Sequence, residues 1–241
     1  MSVNWVLMPV RAGLKMTQDA VKSVLAQDIT PVRVLLIDND TDEGIREWAR
    51  TKYPRVMTIT KYPPLSVAES WNKGLSLLFN DTGNTHVLVC NNDVVLRKDT
   101  YRLLVEDGGD FVTAVGNSDP DCVKVLTPPV VPPRPNPDFS CFLLTRKVWE
   151  TVGKFDEQFQ GAFCEDWDYH VRLHMAGIDA HCIDIPFYHI GSATINIVGD
   201  SERDRLQKWA DQNREYFKEK YGFEGGSPEY EAFFKTAYRG R

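Results

Sequence analysis

The chain has 241 residues, enough for one sizeable core and, in an α/β protein, for a single domain. Hydrophobic residues at 42% and charged residues at 26% exclude wholesale disorder, and a net charge of -6 disfavours nucleic acid, since a long polyanion is repelled unless basic residues gather on one face. Five cysteines, an odd number without a C-x-x-C pair, indicate neither a disulfide framework nor a zinc knuckle, so a reducing compartment is expected. The first residues, Met1 to Met8, hold only a short apolar run with no basic leader or cleavage site, and nothing later approaches membrane-spanning length. The expectation is a cytoplasmic protein without an integral membrane segment.

In chain order, Trp5 to Met8 reads as a buried strand closed by Pro9, and Met16 to Ala26 as a helix with Val21, Val24 and Leu25 at helical spacing. Val32 to Ile37 is a second strand ended by the turn-forming Asp38-Asn39-Asp40, and Glu43 to Thr51 a second helix. Val56 to Thr60 and Val87 to Cys90 follow as strands, with a helix from Val67 to Phe79 between them, which is the alternation of parallel βαβ units. Phe111 to Val115 is another strand. The alternation then breaks at Thr127 to Pro137, where six prolines in eleven residues rule out a helix or central strand and predict a surface loop. Phe139 to Leu144 reads as a strand, Arg146 to Val152 and Asp166 to Ala176 as helices, and His181 to Ile185 as a strand. Ser201 to Tyr221 is polar, with Leu206, Trp209, Asn213, Tyr216 and Phe217 at helical spacing, and predicts an amphipathic helix laid against the body.

Three places carry chemistry. Asn91-Asn92-Asp93 follows the fourth strand, at a strand end where a diphosphate and a cation could lie, although turn chemistry alone accounts for most such clusters. Glu165-Asp166-Trp167-Asp168 opens a helix, where capping explains one or two carboxylates but not three beside Phe163 and Trp167. The stretch from His189 to Thr194 offers an imidazole, a flexible Gly191 and the hydroxyls of Ser192 and Thr194, suited to a metal and phosphate oxygens. His170 and His174 share a helix face but lack the glutamate of a zinc protease motif, and both are left out of the metal site.

Read in order, these pieces resemble the family 2 inverting glycosyltransferases of the GT-A fold, from Trp5 to about Gly222. The resembling stretches are Pro9-Val10-Arg11, Leu36 to Asp42, Asn72-Lys73-Gly74, Asn91-Asn92-Asp93, Phe139 to Arg146, Val152 to Glu157, Glu165-Asp166 with Arg172 and Gly177, and His189. The resemblance implies an α/β fold with a mostly parallel sheet flanked by helices. A GT-A domain over 1–199 would have a nucleotide-binding half to about residue 95 and an acceptor half beyond it, and residues 200–241 would form a helical extension packed on the same domain. It implies nucleotide contacts from Pro9, Val10, Arg11, Asp38, Asn39, Asp40, Asn72, Asn91 and Asn92. Asp93 and His189 would hold a divalent cation, Mn²⁺ or Mg²⁺, Asp166 would be the general base, and Glu165 would orient the acceptor. Ser192 and Thr194 would lie on a loop facing the diphosphate or acceptor.

The reaction implied moves a sugar from a nucleoside-diphosphate donor, with a UDP- or dTDP-sugar expected, onto a hydroxyl. The acceptor stays open among a glycan, a lipid-linked glycan, a protein, a small molecule and a modified base. Two departures from the family pattern stand out: Asn91 and Asn92 replace acids in the metal motif, and Trp71 stands where some relatives carry a donor-binding arginine. A nucleotidyltransferase is a competing reading, but it predicts a glycine-rich basic loop that Pro9 to Gly13 hardly provides. A GT-A fold kept as an inactive binding module is another, against which stand Asp93, Asp166 and His189.

Overall fold

The structure, a computed structural model, describes residues 3–39, 44–124, 137–191 and 197–237. Strands β1 (Asn4–Val10), β2 (Val32–Asp38) and β3 (Val56–Thr60) are parallel and joined through α1 (Leu14–Leu25) and α2 (Ile45–Lys52). Helix α3 (Val67–Phe79) leads to β4 (His86–Cys90), which pairs parallel with β1 on its other side. After the two-residue β5 (Val94–Val95) come α4 (Thr100–Asp107), β6 (Phe111–Asn117), β7 (Cys141–Thr145), α5 (Arg146–Val152), α6 (Glu165–Met175) and β8 (Ala180–His189). Among the described residues eight strands make one sheet in the order β3-β2-β1-β4-β7-β6-β8-β5. β7 is antiparallel to both its neighbours and β5 is antiparallel to β8, while the other pairs are parallel.

The strands are apolar runs because both faces are covered. Val6, Met8 and Val10 of β1 pack with Ala20, Val21 and Val24 of α1 and with Tyr101 and Leu104 of α4, whereas Leu7 faces Trp71, Leu75 and Leu78 of α3. This two-residue alternation continues in β4, with Leu88 and Cys90 on the first face and Val87 and Val89 on the second. Gly74 is required by the close approach of α3 to β1, since a Cβ there would lie 2.2 Å from Leu7 Cδ1.

The expected helix over 67–79 is found with those bounds, started by a capping box in which Ser66 Oγ accepts from Glu69 N and Glu69 Oε2 accepts from Ser66 N. β8 is longer than its apolar stretch predicts and runs through Pro186 to His189, so that the histidine ends the strand. Pro186 stands opposite Val115, next to a register shift, where a residue without an N–H interrupts no regular ladder. β5 and α4 were not foreseen, nor was a second helix within the expected helical extension. The proline-rich stretch lies outside the described residues except for Pro137.

After β8 the described residues hold two long helices, α7 (Asp200–Tyr221) and α8 (Pro228–Ala237). They cover α6 through a third apolar cluster containing Phe159, Val171, Phe217 and Tyr230. Among the described residues no helix is long and apolar enough to cross a membrane.

Candidate active site

A cleft of about 930 Å³ opens along the sheet where the ends of β1, β2 and β4 meet α3, α6, α7 and the end of β8. In an open, mostly parallel sheet the strand ends leave such a crevice, because the connections to the flanking helices diverge there. Of the residues singled out from the sequence, Pro9, Val10, Arg11, Asn39, Asn91, Asn92, Asp93, Glu165, Asp166 and His189 line it together. They come from five separate stretches of chain.

At the end formed by β1 and β2, the side chain of Asn39 fixes the walls, its Nδ2 donating to Ser70 Oγ at 3.1 Å and its Oδ1 accepting from Leu65 N at 3.0 Å. Arg11 reaches over it to donate to the Asn39 carbonyl at 3.1 Å and to Glu202 Oε1 of α7 at 2.9 Å. Asn92 ties the β4 end to the first loop through Ala12 O and Thr17 Oγ1, at 2.8 and 2.9 Å, which commits both hydrogens of its amide. Asp38 is buried at the end of β2, beneath the cleft rather than lining it, and accepts from Thr60 Oγ1 at 3.4 Å.

Asn72 is not brought to the cleft. Its Nδ2 donates to Phe155 O and Glu157 Oε1, at 2.8 and 2.9 Å, and its Oδ1 accepts from Phe155 N at 2.8 Å, so the amide is saturated in holding α3 to the segment before α6. Asp40, Ser192 and Thr194 lie outside the described residues.

Asp93 and His189 meet because β5 pairs antiparallel with β8, setting Val94 opposite His189, and Ile190 N donates to Asp93 O at 3.1 Å. His189 Nε2 lies 3.4 Å from Asp93 Oδ1. An oxygen and an imidazole nitrogen at this separation suit neighbouring positions around one divalent ion, whose ligands stand about 2.1 Å from it. Among the described residues no group of three or more His, Cys, Asp and Glu side chains could hold a metal, so these two would supply part of a coordination shell.

On the opposite wall α6 begins with Glu165 and Asp166 and has no side-chain cap. Burial pushes both carboxyls above their ordinary values; Asp166 adds to this at Glu165, and Asp138 does so at Asp166. The two groups differ in what receives their charge. Asp166 Oδ1 accepts from Trp167 N at 2.8 Å, whereas Glu165 Oε2 is buried with no hydrogen-bond partner among the described residues. The proton therefore belongs on Glu165 and the negative charge on Asp166, at the positive end of a helix.

The third acid of this helix start does something else. Asp168 is fully buried and accepts from Arg172 Nε at 2.8 Å, Lys220 Nζ at 2.7 Å and Tyr221 OH at 2.7 Å, so it locks α7 to α6. His170 is likewise structural, with Nδ1 2.8 Å from Tyr230 OH and its ring stacked on Phe234.

Sequence reasoning missed several lining groups. Asp138 caps the turn into β7, its two carboxylate oxygens accepting from Gly116 N and Ser140 N at 3.0 Å each. Glu202, Arg205, Leu206 and Trp209 bring α7 into the cleft wall, with Arg205 over the Trp209 ring. The amphipathic pattern of α7 disclosed a packed helix, but nothing in it told which polar residues would face a site.

Residues 5–118 match the model of glycosyl transferase family 2. No curated protein sequence matches the chain. Among solved structures, the chain is similar to the mannosyltransferase PcManGT from Pyrobaculum calidifontis in complex with GDP-Man and Mn²⁺, with a TM-score of 0.65 and 15% identity over 98% of this chain and 68% of that one. It is also similar to S. aureus TarS 1-349, with a TM-score of 0.58 and 12% identity over 98% and 79% of the two chains. GalNAc-T7 with UDP, GalNAc and Mn²⁺ gives a TM-score of 0.62 at 11% identity, covering 98% of this chain and 54% of its own. At these identities the likeness shows the shared GT-A fold.

Proposed function

From the premise that this chain belongs to glycosyltransferase family 2, we propose that it transfers a sugar from a nucleoside-diphosphate donor to an acceptor hydroxyl with inversion. The observation that carries the reading is the single cleft in which the Asp93–His189 pair shares the space with the Glu165–Asp166 pair. Asp93 and His189 would hold a divalent cation, Mn²⁺ or Mg²⁺, which neutralises the charge that builds on the departing diphosphate. Arg11, Asn39 and Asn91 lie at the strand ends where the nucleotide would rest. A UDP- or dTDP-sugar is the donor to try first, with GDP-sugars beside it because the mannosyltransferase neighbour is a GDP-Man complex.

Asp166 acts as the base. Its ionised carboxylate takes the proton of the acceptor hydroxyl as that oxygen bonds to the anomeric carbon, and the bond from that carbon to the diphosphate oxygen breaks with its electron pair leaving on the diphosphate. A proton affinity raised by burial suits this task, since a stronger base takes the proton more readily provided it stays ionised at the working pH. Glu165, neutral beside it, lines the cleft next to the base, where its carboxyl would orient the acceptor hydroxyl. The acceptor is a hydroxyl-bearing molecule whose class the cleft leaves open. Incubating the protein with UDP-, dTDP- and GDP-sugars and Mn²⁺, and measuring release of the nucleoside diphosphate, tests the reading. Release from one donor is expected, and release from none, with or without candidate acceptors, would count against it.

A further inference from the structure

The two acids stand directly after a loop held in an unusual backbone conformation. Phe163 and Cys164 have φ of 79° and 72°, and among the described residues they are the only ones other than glycine with positive φ. Side chains with a Cβ resist this region, so two in succession persist only where surrounding contacts over-determine the backbone. Cys164 is also the residue on which α6 starts, so the direction in which Glu165 and Asp166 leave the loop depends on it.

The contacts that hold this loop come from α7, about fifty residues further along the chain. Asn213 is 2% exposed. Its Nδ2 donates to Gln160 O, Ala162 O and Phe163 O, at 2.8, 3.0 and 3.0 Å, and its Oδ1 accepts from Gln160 N at 3.0 Å. A carboxamide with donor and acceptor on one plane is thereby used in full against a single turn of backbone. Gly161, at φ 66°, lies under Trp209 of the same helix so closely that a Cβ would come within 2.5 Å of the ring, and its carbonyl accepts from Val67 N at the start of α3. The loop is thus clamped between α3 and α7.

We propose that Asn213 is a positioning residue for the transfer reaction: by holding the Gln160–Phe163 backbone it sets the left-handed entry to α6 and so the placement of Glu165 and Asp166 in the cleft. The inference rests on the function proposed above for those two acids. It gives α7 a part in the chemistry that none of its residues carries directly, and it explains why a polar residue is buried in the middle of an otherwise apolar helix face. A displacement of about 1 Å at reacting groups can cost on the order of 10²-fold in rate.

The test compares wild type with Asn213→Ala, and with the same change in a Cys164→Gly background, where glycine adopts positive φ without strain and keeps the variant folded. Turnover is measured per folded molecule as nucleotide release from whichever donor sugar the wild type uses. Binding of UDP and GDP with Mn²⁺ is measured by calorimetry, and the Glu165 and Asp166 carboxyls are titrated by ¹³C NMR. Asp138, Tyr230 and Cys164 face these carboxyls, and Arg214 faces Cys164; all four are unchanged in Asn213→Ala, so the carboxyl titration is read on that variant. Asn213→Ala should lower kcat by about 10²-fold with nucleotide affinity within about twofold of wild type, and should bring the two carboxyls back toward ordinary titration. In the glycine background the loss of kcat should be smaller. Unchanged kcat in the folded variant overturns the proposal, as does a carboxyl titration identical to wild type. A wild type that turns over no donor would defeat the proposed function, while the carboxyl titration would still decide whether Asn213 places the acids.

Discussion

Replacing Asp166 by Asn removes one property and keeps the others. The side chain retains its size, and its Oδ1 still accepts from Trp167 N, bonded at 2.8 Å in the native protein, so the start of α6 should be undisturbed. What disappears is the ability to take a proton. A positioned carboxylate base contributes about 10²–10⁴-fold, which is about 2.7–5.4 kcal/mol of activation free energy. Nucleotide release in the presence of acceptor should fall by that factor, with donor affinity unchanged because the nucleotide would rest at the β1 and β2 ends. The wild-type pH profile should carry the matching signature. Asp166 titrates above the ordinary aspartate range because it is buried and faces Asp138, and the base works only when ionised. Turnover should therefore fall as the pH drops through that raised value, at a higher pH than an exposed aspartate would give. Turnover of Asp166→Asn within a few-fold of wild type would refute the assignment, and a dead Glu165→Gln beside an active Asp166→Asn would move the base to the neighbouring residue.

Two further predictions concern stability. Asp168→Asn strips the charge from a carboxylate that holds Arg172, Lys220 and Tyr221; because the two cations are 22% and 28% exposed, the loss should be about 2–3 kcal/mol rather than the full cost of breaking a buried pair. Scanning calorimetry should show a melting temperature lower by about 4–12 °C, and an unchanged melt would mean that α7 is not anchored there. Glu165→Gln should act in the opposite sense: the folded protein holds the Glu165 proton more tightly than the unfolded chain does, so this group's penalty grows as the pH rises above its unfolded value and vanishes below it. The variant should melt higher than wild type at about pH 8 and equally at about pH 4, and no difference at about pH 8 would show that the carboxyl is not disfavoured by burial.

Much of the nucleotide-side architecture was legible because each strand there is an apolar run and the helices between them carry apolar residues at helical spacing, α3 also starting on the capping box of Ser66 and Glu69. Asn91 to Asp93 could be placed at a strand end for the same reason. β5 escaped because two residues carry no period, yet that short strand is what sets Asp93 beside His189. The pairing of two residues almost a hundred positions apart depends on sheet order, which local sequence does not encode. Asn72 shows the reverse case, where a residue in a resembling motif has its amide saturated by the fold. Asp168 shows how composition misleads: three adjacent acids beside aromatic residues read as one site, but the helical turn sends the third toward Arg172 and Lys220, away from the cleft. Asp138 and the cleft-facing residues of α7 were invisible because they reach the site through tertiary packing.

If the proposed function holds, one cleft binds a nucleoside diphosphate through a divalent cation held by Asp93 and His189. Isothermal calorimetry of UDP, dTDP and GDP against the protein, with Mn²⁺ and with chelator, run in parallel on His189→Ala, measures this binding. Saturable binding of at least one of these nucleotides is expected, dependent on Mn²⁺ and weakened by about 10-fold or more in His189→Ala, with the variant's melting temperature unchanged. Folded wild-type protein that binds none of them with Mn²⁺ present, or a variant whose Mn²⁺ dependence matches wild type, would contradict it.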